Sequence, residues 1–251
     1  MDALKGSVSN SVKLDGKEEE KEVMTEEDVA NKIKELGVMI FMPEDKDFLT
    51  GMSWEDLAGY EKQKRAIEDT VMLSLTHAHI YDNIARKTRM RFERNKPRAV
   101  LFEGPPGTGK TTSAKIIASQ VKIPLLYLPL ESIMSKYYGE AEKNLSSIFD
   151  LAKQFENGCI VFIDEIDTLG GSRDKLEMHE VSRRLLSSLL RKLDSFESND
   201  NTLLICATNR KFELDQALLS RLDMSIEFAL PDKIARVEIW RRYAKQLSEE
   251  E

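Results

Sequence analysis

The sequence predicts an α/β domain, an open five-stranded parallel sheet with helices on both faces. Three observations predict it. Short apolar runs alternate with helical patterns from Ala99 onward, a glycine-rich turn joins the first run to a helical pattern, and the third run ends in two adjacent acids. Strands covered on both faces read as near-continuous apolar stretches, and ligands of such sheets bind beyond the carboxyl ends of the strands.

The five candidate strands are "AVLFE" (99–103), "LLYL" (125–128), "CIVFID" (159–164), "LLICAT" (203–208) and "SIEFAL" (225–230). Between them lie the helical patterns "TTSAKIIASQ", "EAEKNLSSIFDLAKQF" and "HEVSRRLLSSLLRKLDSF". The α/β unit is drawn over residues 51–231. A leader, 1–50, precedes it and a short helical piece, 232–251, follows.

Acidity belongs to the leader. The chain carries a net charge of -7, of which 13 acidic and 7 basic residues in 1–50 account for -6. Residues 1–22 are polar and end in "KEEEKE", a composition that buries too little apolar surface to offset ordering, so flexibility is expected there. The stretch "TEEDVANKIKELG" then reads as one short helix. Thr25 caps it, Glu26, Glu27 and Asp28 complement its positive end, Val29, Ile33 and Leu36 share a face, and Gly37 stops it. The apolar "VMIFMP" (38–43) either packs on the domain or binds a partner, with packing the preferred reading.

Composition narrows the class. At 251 residues, 41% hydrophobic and 32% charged, the chain reads as a soluble globular protein. No apolar run approaches a membrane span, and the start lacks a signal peptide's apolar core. The expectation is a soluble, intracellular chain, with cytoplasm and organelle interior not distinguished. Cys159 and Cys206 both lie inside strand-like runs and read as buried thiols. His77 and His79 have no nearby Cys or further His to complete a zinc tetrahedron.

The chemistry begins where the first strand stops. "GPPGTGKTT" is Gly104, Pro105, Pro106, Gly107, Thr108, Gly109, Lys110, Thr111 and Thr112, and it fits the P-loop pattern between a strand and a helix. Its glycines let backbone amides turn inward around phosphate oxygens, and the helix beginning near Lys110 points its positive end at the same anion. Lys110 is expected to reach the β and γ phosphates of ATP, and Thr111 to hold magnesium. Asp164, ending the third strand, is where nucleotide-bound magnesium needs an acidic partner, and Glu165 is suited to deprotonate the attacking water. Asn209, in "ATNR" after the fourth strand, can present an amide to the γ-phosphate.

In these motifs the sequence resembles the AAA family of ATPases. The likeness runs from "MSWEDLAGYEKQKRAIEDTV" to the end of the chain and includes Walker A, Walker B, "ATNR" and "LDQALLSRLD". It implies a strand order of 5-1-4-3-2, adenine held near Asp56, Ala58 and Gly59, and a ring, usually a hexamer, hydrolysing ATP at subunit boundaries. In such rings an arginine of one subunit reaches the neighbour's γ-phosphate, and Arg221 matches it. "SKYYGEAEK" resembles the pore loop of the polypeptide-threading branch, with Lys136, Tyr137, Tyr138 and Gly139 in the Lys-aromatic-x-Gly positions. Glu180, Arg183 and Arg184 resemble the "HE-x-SRR" stretch of the severing and membrane-extracting branches, which include katanin, spastin and mitochondrial outer-membrane extractases. Salt-bridged helix residues explain the same letters.

Three departures stand out. The severing branch often sets two arginines before Phe-Asp, where this chain has Ser220-Arg221-Leu222-Asp223. After Asp232 only enough sequence follows for the first helix of the family's lid, so a truncated lid is expected. The basic run "ARKTRMRFERNKPR" (85–98) suits a solvated connector or, less well, nucleic acid phosphates or an acidic membrane surface.

The sequence therefore points to a magnesium-dependent ATPase in a homo-oligomeric ring that acts on a protein substrate or adaptor. A regulatory subunit that binds ATP without translocating anything is the first alternative. A nucleic-acid-remodelling ATPase, resting only on the basic run, is the second.

Overall fold

The computed structural model describes residues 24–44, 52–77, 87, 96–134, 140–169, 176–195 and 202–244. The pore-loop match Lys136 to Gly139, the polar segment 1–22, His79 and most of the basic run lie outside the described residues.

Among the described residues one sheet of six strands organises the molecule: β1 (Met39–Phe41), β2 (Ala99–Glu103), β3 (Leu125–Leu128), β4 (Cys159–Ile163), β5 (Thr202–Thr208) and β6 (Met224–Glu227). Their spatial order is β1-β3-β4-β5-β2-β6. The last five are mutually parallel and keep the order that the family resemblance implies. The sixth strand corrects the expectation of five. β1, from "VMIFMP", adds to the sheet edge antiparallel to β3, with Met39 opposite Tyr127 and Phe41 opposite Leu125. At three residues it is too short to show an alternation in sequence.

Nine α-helical segments accompany the strands among the described residues: α1 (Glu26–Glu35), α2 (Glu61–Ala66), α3 (Leu73–Thr76), α4 (Lys110–Val121), α5 (Leu130–Met134), α6 (Ala141–Ala152), α7 (Leu176–Asp194), α8 (Gln216–Leu219) and α9 (Lys233–Ala244). A π-helical stretch, Ile67–Met72, joins α2 to α3. Successive strand residues point to opposite faces. Leu101, Val161, Ile163, Leu204 and Cys206 enter one core with residues of α1, α6 and α7. Val100, Phe102, Ile160, Phe162, Leu203 and Ile205 enter the other, against Ala114, Ile116, Ile117 and Ala118 of α4. The result is three layers, helix on sheet on helix.

The leader's helix is part of this core. Thr25 and Asp28 form a reciprocal capping box, and Val29, Ala30 and Ile33 of α1 are buried. Val38 and Ile40 join them in the same cluster as the sheet. The Glu26 carboxylate accepts a hydrogen bond from the Glu156 amide at 3.1 Å, and Lys115 of α4 sits 5.4 Å from the Phe41 ring centroid.

Candidate functional site

Three neighbouring parallel strands end side by side and carry the candidate residues. β2 runs into the glycine-rich loop, β4 into Asp164 and Glu165, and β5 into Asn209.

The loop takes its shape from glycines that no other residue replaces easily. Gly104 has φ +144, and a Cβ there would lie 2.1 Å from the carbonyl oxygen of Phe228. Gly109, at φ +93, precedes the first helical residue, and a Cβ on it would meet Leu57 Cδ1 at 2.4 Å. Between them the Thr108 hydroxyl donates to the Pro105 carbonyl at 2.8 Å. Pro106 and Gly107 are exposed, while Thr112 is half-buried on the first turn of α4.

Lys110 opens α4 and is 7% exposed. Its ammonium donates to three oxygens: the Gly104 carbonyl at 2.8 Å, the Pro105 carbonyl at 2.9 Å and Asn209 Oδ1 at 2.8 Å. Burial lowers its pKa, and the nearby carboxylates of Asp164 and Asp167 work in the opposite direction. Next to it, the Thr111 hydroxyl donates to Asp164 Oδ2 at 3.1 Å. Walker A, Walker B and the residue after β5 are thereby joined by side-chain contacts.

Glu165 is exposed, with φ +50. A left-handed conformation in a residue other than glycine costs about 1–3 kcal/mol and clusters at functional sites. Here the Glu165 amide donates to Asp164 Oδ1 at 2.9 Å. Both oxygens of Asp164 are thus engaged, one by Thr111 and one by its own neighbour.

The remaining candidates stand outside this hydrogen-bonded group, although Leu57, between Asp56 and Ala58, borders Gly109. Asp56 Oδ2 accepts from the Ser53 amide at 2.8 Å, capping a short 3-10 turn. Ala58 is buried, and a Cβ on Gly59 would come within 2.9 Å of the Ala235 Cβ, which brings the start of α9 against this segment. Arg221 lies at the opposite end of the sheet from the loop. Asp223 donates its amide to the Ala99 carbonyl at the start of β2, whereas the loop leaves after Glu103. Five residues of strand separate those ends, roughly 16 Å. Within its own chain Arg221 is held by Asp194 of α7. Glu180 accepts from Arg184 one turn on in α7, the helix ion pair that the sequence left open, and Arg183 is exposed.

Two groups of the site escaped sequence reasoning. Asp167 Oδ1 accepts from the Thr208 hydroxyl at 2.7 Å, and Lys211 pairs with Glu103 at 2.7 Å. Only the position of Asp167, three residues after Asp164, hinted at the first.

The family profile of the ATPase family associated with various cellular activities (AAA) matches residues 100–230, more than half of the chain. The chain belongs to the AAA family of ATPases. Among AAA relatives, it is 36% identical to the cell division cycle protein 48 homolog of Archaeoglobus fulgidus over 207 residues, covering 81% of this chain and 27% of that protein. It is 37% identical to the 26S proteasome regulatory subunit 6A of Encephalitozoon cuniculi over 201 residues, covering 78% of this chain and 48% of the subunit. The chain thus spans about a quarter to a half of the length of these two. A solved structure of the FIGL-1 AAA domain in complex with ADP superposes with a TM-score of 0.68 at 29% identity, covering 89% of this chain and 68% of that one. The α/β P-loop architecture of the AAA fold is therefore that of this chain, with β1 added at its edge. Among the described residues no helix is long and apolar enough to cross a membrane.

Proposed function

We propose that this chain is the hydrolytic module of a magnesium-dependent ATPase that converts ATP to ADP and phosphate and uses the cycle to remodel protein substrates in a ring. The observation that carries the reading is the convergence of Lys110, Asn209, Thr111 and Asp164 at the ends of three adjacent strands. A phosphate chain needs a cation at its β and γ positions, a magnesium ligand pair and a base, and each has a counterpart there.

The residues fit the ion. Magnesium prefers one or two carboxylates with substrate phosphates and water over an all-protein cage, and Thr111 Oγ1 with Asp164 Oδ2 is such a hydroxyl and carboxylate pair. Thr111 and Asp164 would hold it, and when bound it neutralises charge on the β and γ oxygens. Lys110 exchanges its loop carbonyls and Asn209 for those oxygens. The amides of Gly107, Gly109 and Lys110 supply further donors at the positive end of α4. Glu165 takes a proton from the attacking water at its carboxylate, and Asn209, released from Lys110, orients that water or the γ-phosphate.

Arg221 stands about the length of β2 from the loop of its own chain, and on its sequence motif it is assigned to the site of a neighbouring copy. That assignment supports a homo-oligomer. Substrate contact is assigned to Lys136, Tyr137, Tyr138 and Gly139 on their sequence motif. An aromatic offers a large, stiff surface that demands no particular substrate sequence.

The test is ATP-driven unfolding of a fluorescent model protein. Wild type should unfold it, Glu165→Gln should neither hydrolyse nor unfold, and Tyr137→Ala should hydrolyse at the wild-type rate without unfolding. Unfolding by Tyr137→Ala at the wild-type rate would overturn the assignment of the pore residue.

A further inference from the structure

Thr208 is the last residue of β5, 1% exposed, and it is bonded in three directions. Its hydroxyl donates to Asp167 Oδ1 at 2.7 Å and accepts from the Arg210 amide at 2.9 Å. Its carbonyl accepts from the amide of Gly104, the first residue of the P-loop, at 3.2 Å. Asn209 sits between Thr208 and Arg210, so its backbone is clamped on both sides by one hydroxyl group.

The other end of this connection is equally specific. Asp167 lies on the 3-10 turn Ile166–Leu169 that directly follows Glu165, and the Glu165 carbonyl accepts from the Thr168 amide at 2.9 Å. The turn's flanking residues Ile166 and Leu169 are buried and anchor it to the core. A shift of Asp167 therefore moves the backbone that carries Glu165 and, through Thr208, the backbone that carries Asn209.

We propose that Asp167 is a positioning residue that, through the Thr208 hydroxyl, fixes the water-activating Glu165 and the γ-phosphate-facing Asn209 relative to one another. This rests on the hydrolytic reading given above. The hydroxyl suits the task because it donates to one element and accepts from the other, so neither bond can shift alone. Nucleotide affinity depends mainly on the loop amides and Lys110, whereas turnover depends on Glu165 and Asn209 meeting at the γ-phosphate. The two quantities should therefore separate when the bridge is cut.

The experiment measures kcat, KM and the affinity for a fluorescent ADP analogue in the full chain. The variants are Thr208→Val, Thr208→Ser, Asp167→Ala, the double Thr208→Val/Asp167→Ala, and Glu165→Gln as a reference. Misplacing a reacting group by about 1 Å costs about 10²-fold in rate. Thr208→Val and Asp167→Ala should each lower kcat by about that factor, with ADP affinity unchanged within about threefold. Thr208→Ser should restore kcat, and the double variant should be no worse than either single one, because one bridge is cut in all three. Wild-type kcat in Asp167→Ala, multiplying losses in the double variant, or a Thr208→Val loss that serine leaves unrepaired would each overturn the proposal. If Thr208→Val does not fold, Asp167→Ala on the surface side of the bridge decides alone by its split between kcat and ADP affinity. Absence of hydrolysis in wild type, or hydrolysis that Glu165→Gln leaves intact, would instead count against the hydrolytic reading itself.

Discussion

Arg221 grips Asp194 through two parallel hydrogen bonds, Nε to Oδ1 at 2.7 Å and Nη2 to Oδ2 at 2.9 Å. A third, from Nη1 to the Ala217 carbonyl at 2.9 Å, completes the hold. Forked arginine–carboxylate pairs fix orientation as well as charge, so the guanidinium is held in one orientation against the last turn of α7 and against α8.

If Arg221 serves a neighbour, its loss is repaired by mixing. Arg221→Ala keeps its own phosphate site and lacks the finger, whereas Lys110→Ala lacks the site and keeps the finger. Each alone should turn over ATP about 10³-fold slower or worse. Mixed chains should recover a substantial part of the wild-type rate, measured by phosphate release. No recovery at any mixing ratio would place Arg221 outside the trans site.

The pair also sets a titration. The hydrogen bond from Arg221 holds the Asp194 carboxyl below its ordinary value of 3.8. The folded value being the lower one, the pair's contribution is complete above 3.8 and is lost as pH falls through the folded value. Arg221→Ala should return Asp194 toward 3.8, read from the carboxyl carbon resonance on acid titration.

Glycine substitutions in the P-loop should rank by geometry. Gly104→Ala, with its Cβ 2.1 Å from a backbone oxygen, should cost about 3 kcal/mol or more in urea unfolding. Gly107→Ala meets nothing within 4 Å and should cost only the about 1–2 kcal/mol of a left-handed residue. Equal costs at the two positions would contradict the loop geometry.

Much of this loop was legible in the sequence for a physical reason. A strand covered on both faces must be apolar throughout, and a phosphate loop must be glycine-rich, so "AVLFEGPPGTGK" and "CIVFIDE" state their structure in their letters. Contacts between distant residues leave no such trace. Asp194 and Arg221 are 27 positions apart, and Thr208 and Asp167 are 41 apart, each an ordinary residue in its own neighbourhood. β1 was missed because it is a strand only by virtue of the β3 edge it meets.

That edge makes the leader helix part of the fold. Ile33 is fully buried in the same cluster as the sheet, so Ile33→Ala should destabilise the whole chain by about 2–4 kcal/mol in a single unfolding transition. A separate early transition, with the main one unmoved, would make the leader an independent unit.

Burial pushes both Cys159 and Cys206 thiols up to about 12. Neither should react with a thiol reagent at pH 8 in the folded chain, and both should react in denaturant. Rapid labelling of the native chain would show a looser sheet than the one described.

The most direct measurement is ATP turnover against protein concentration for wild type and Glu165→Gln, with nucleotide binding followed in parallel. The account predicts turnover per chain that rises with concentration as copies assemble, falls by about 10²-fold or more in Glu165→Gln, and leaves binding intact. Binding without turnover at any concentration, or turnover indifferent to Glu165, would contradict it.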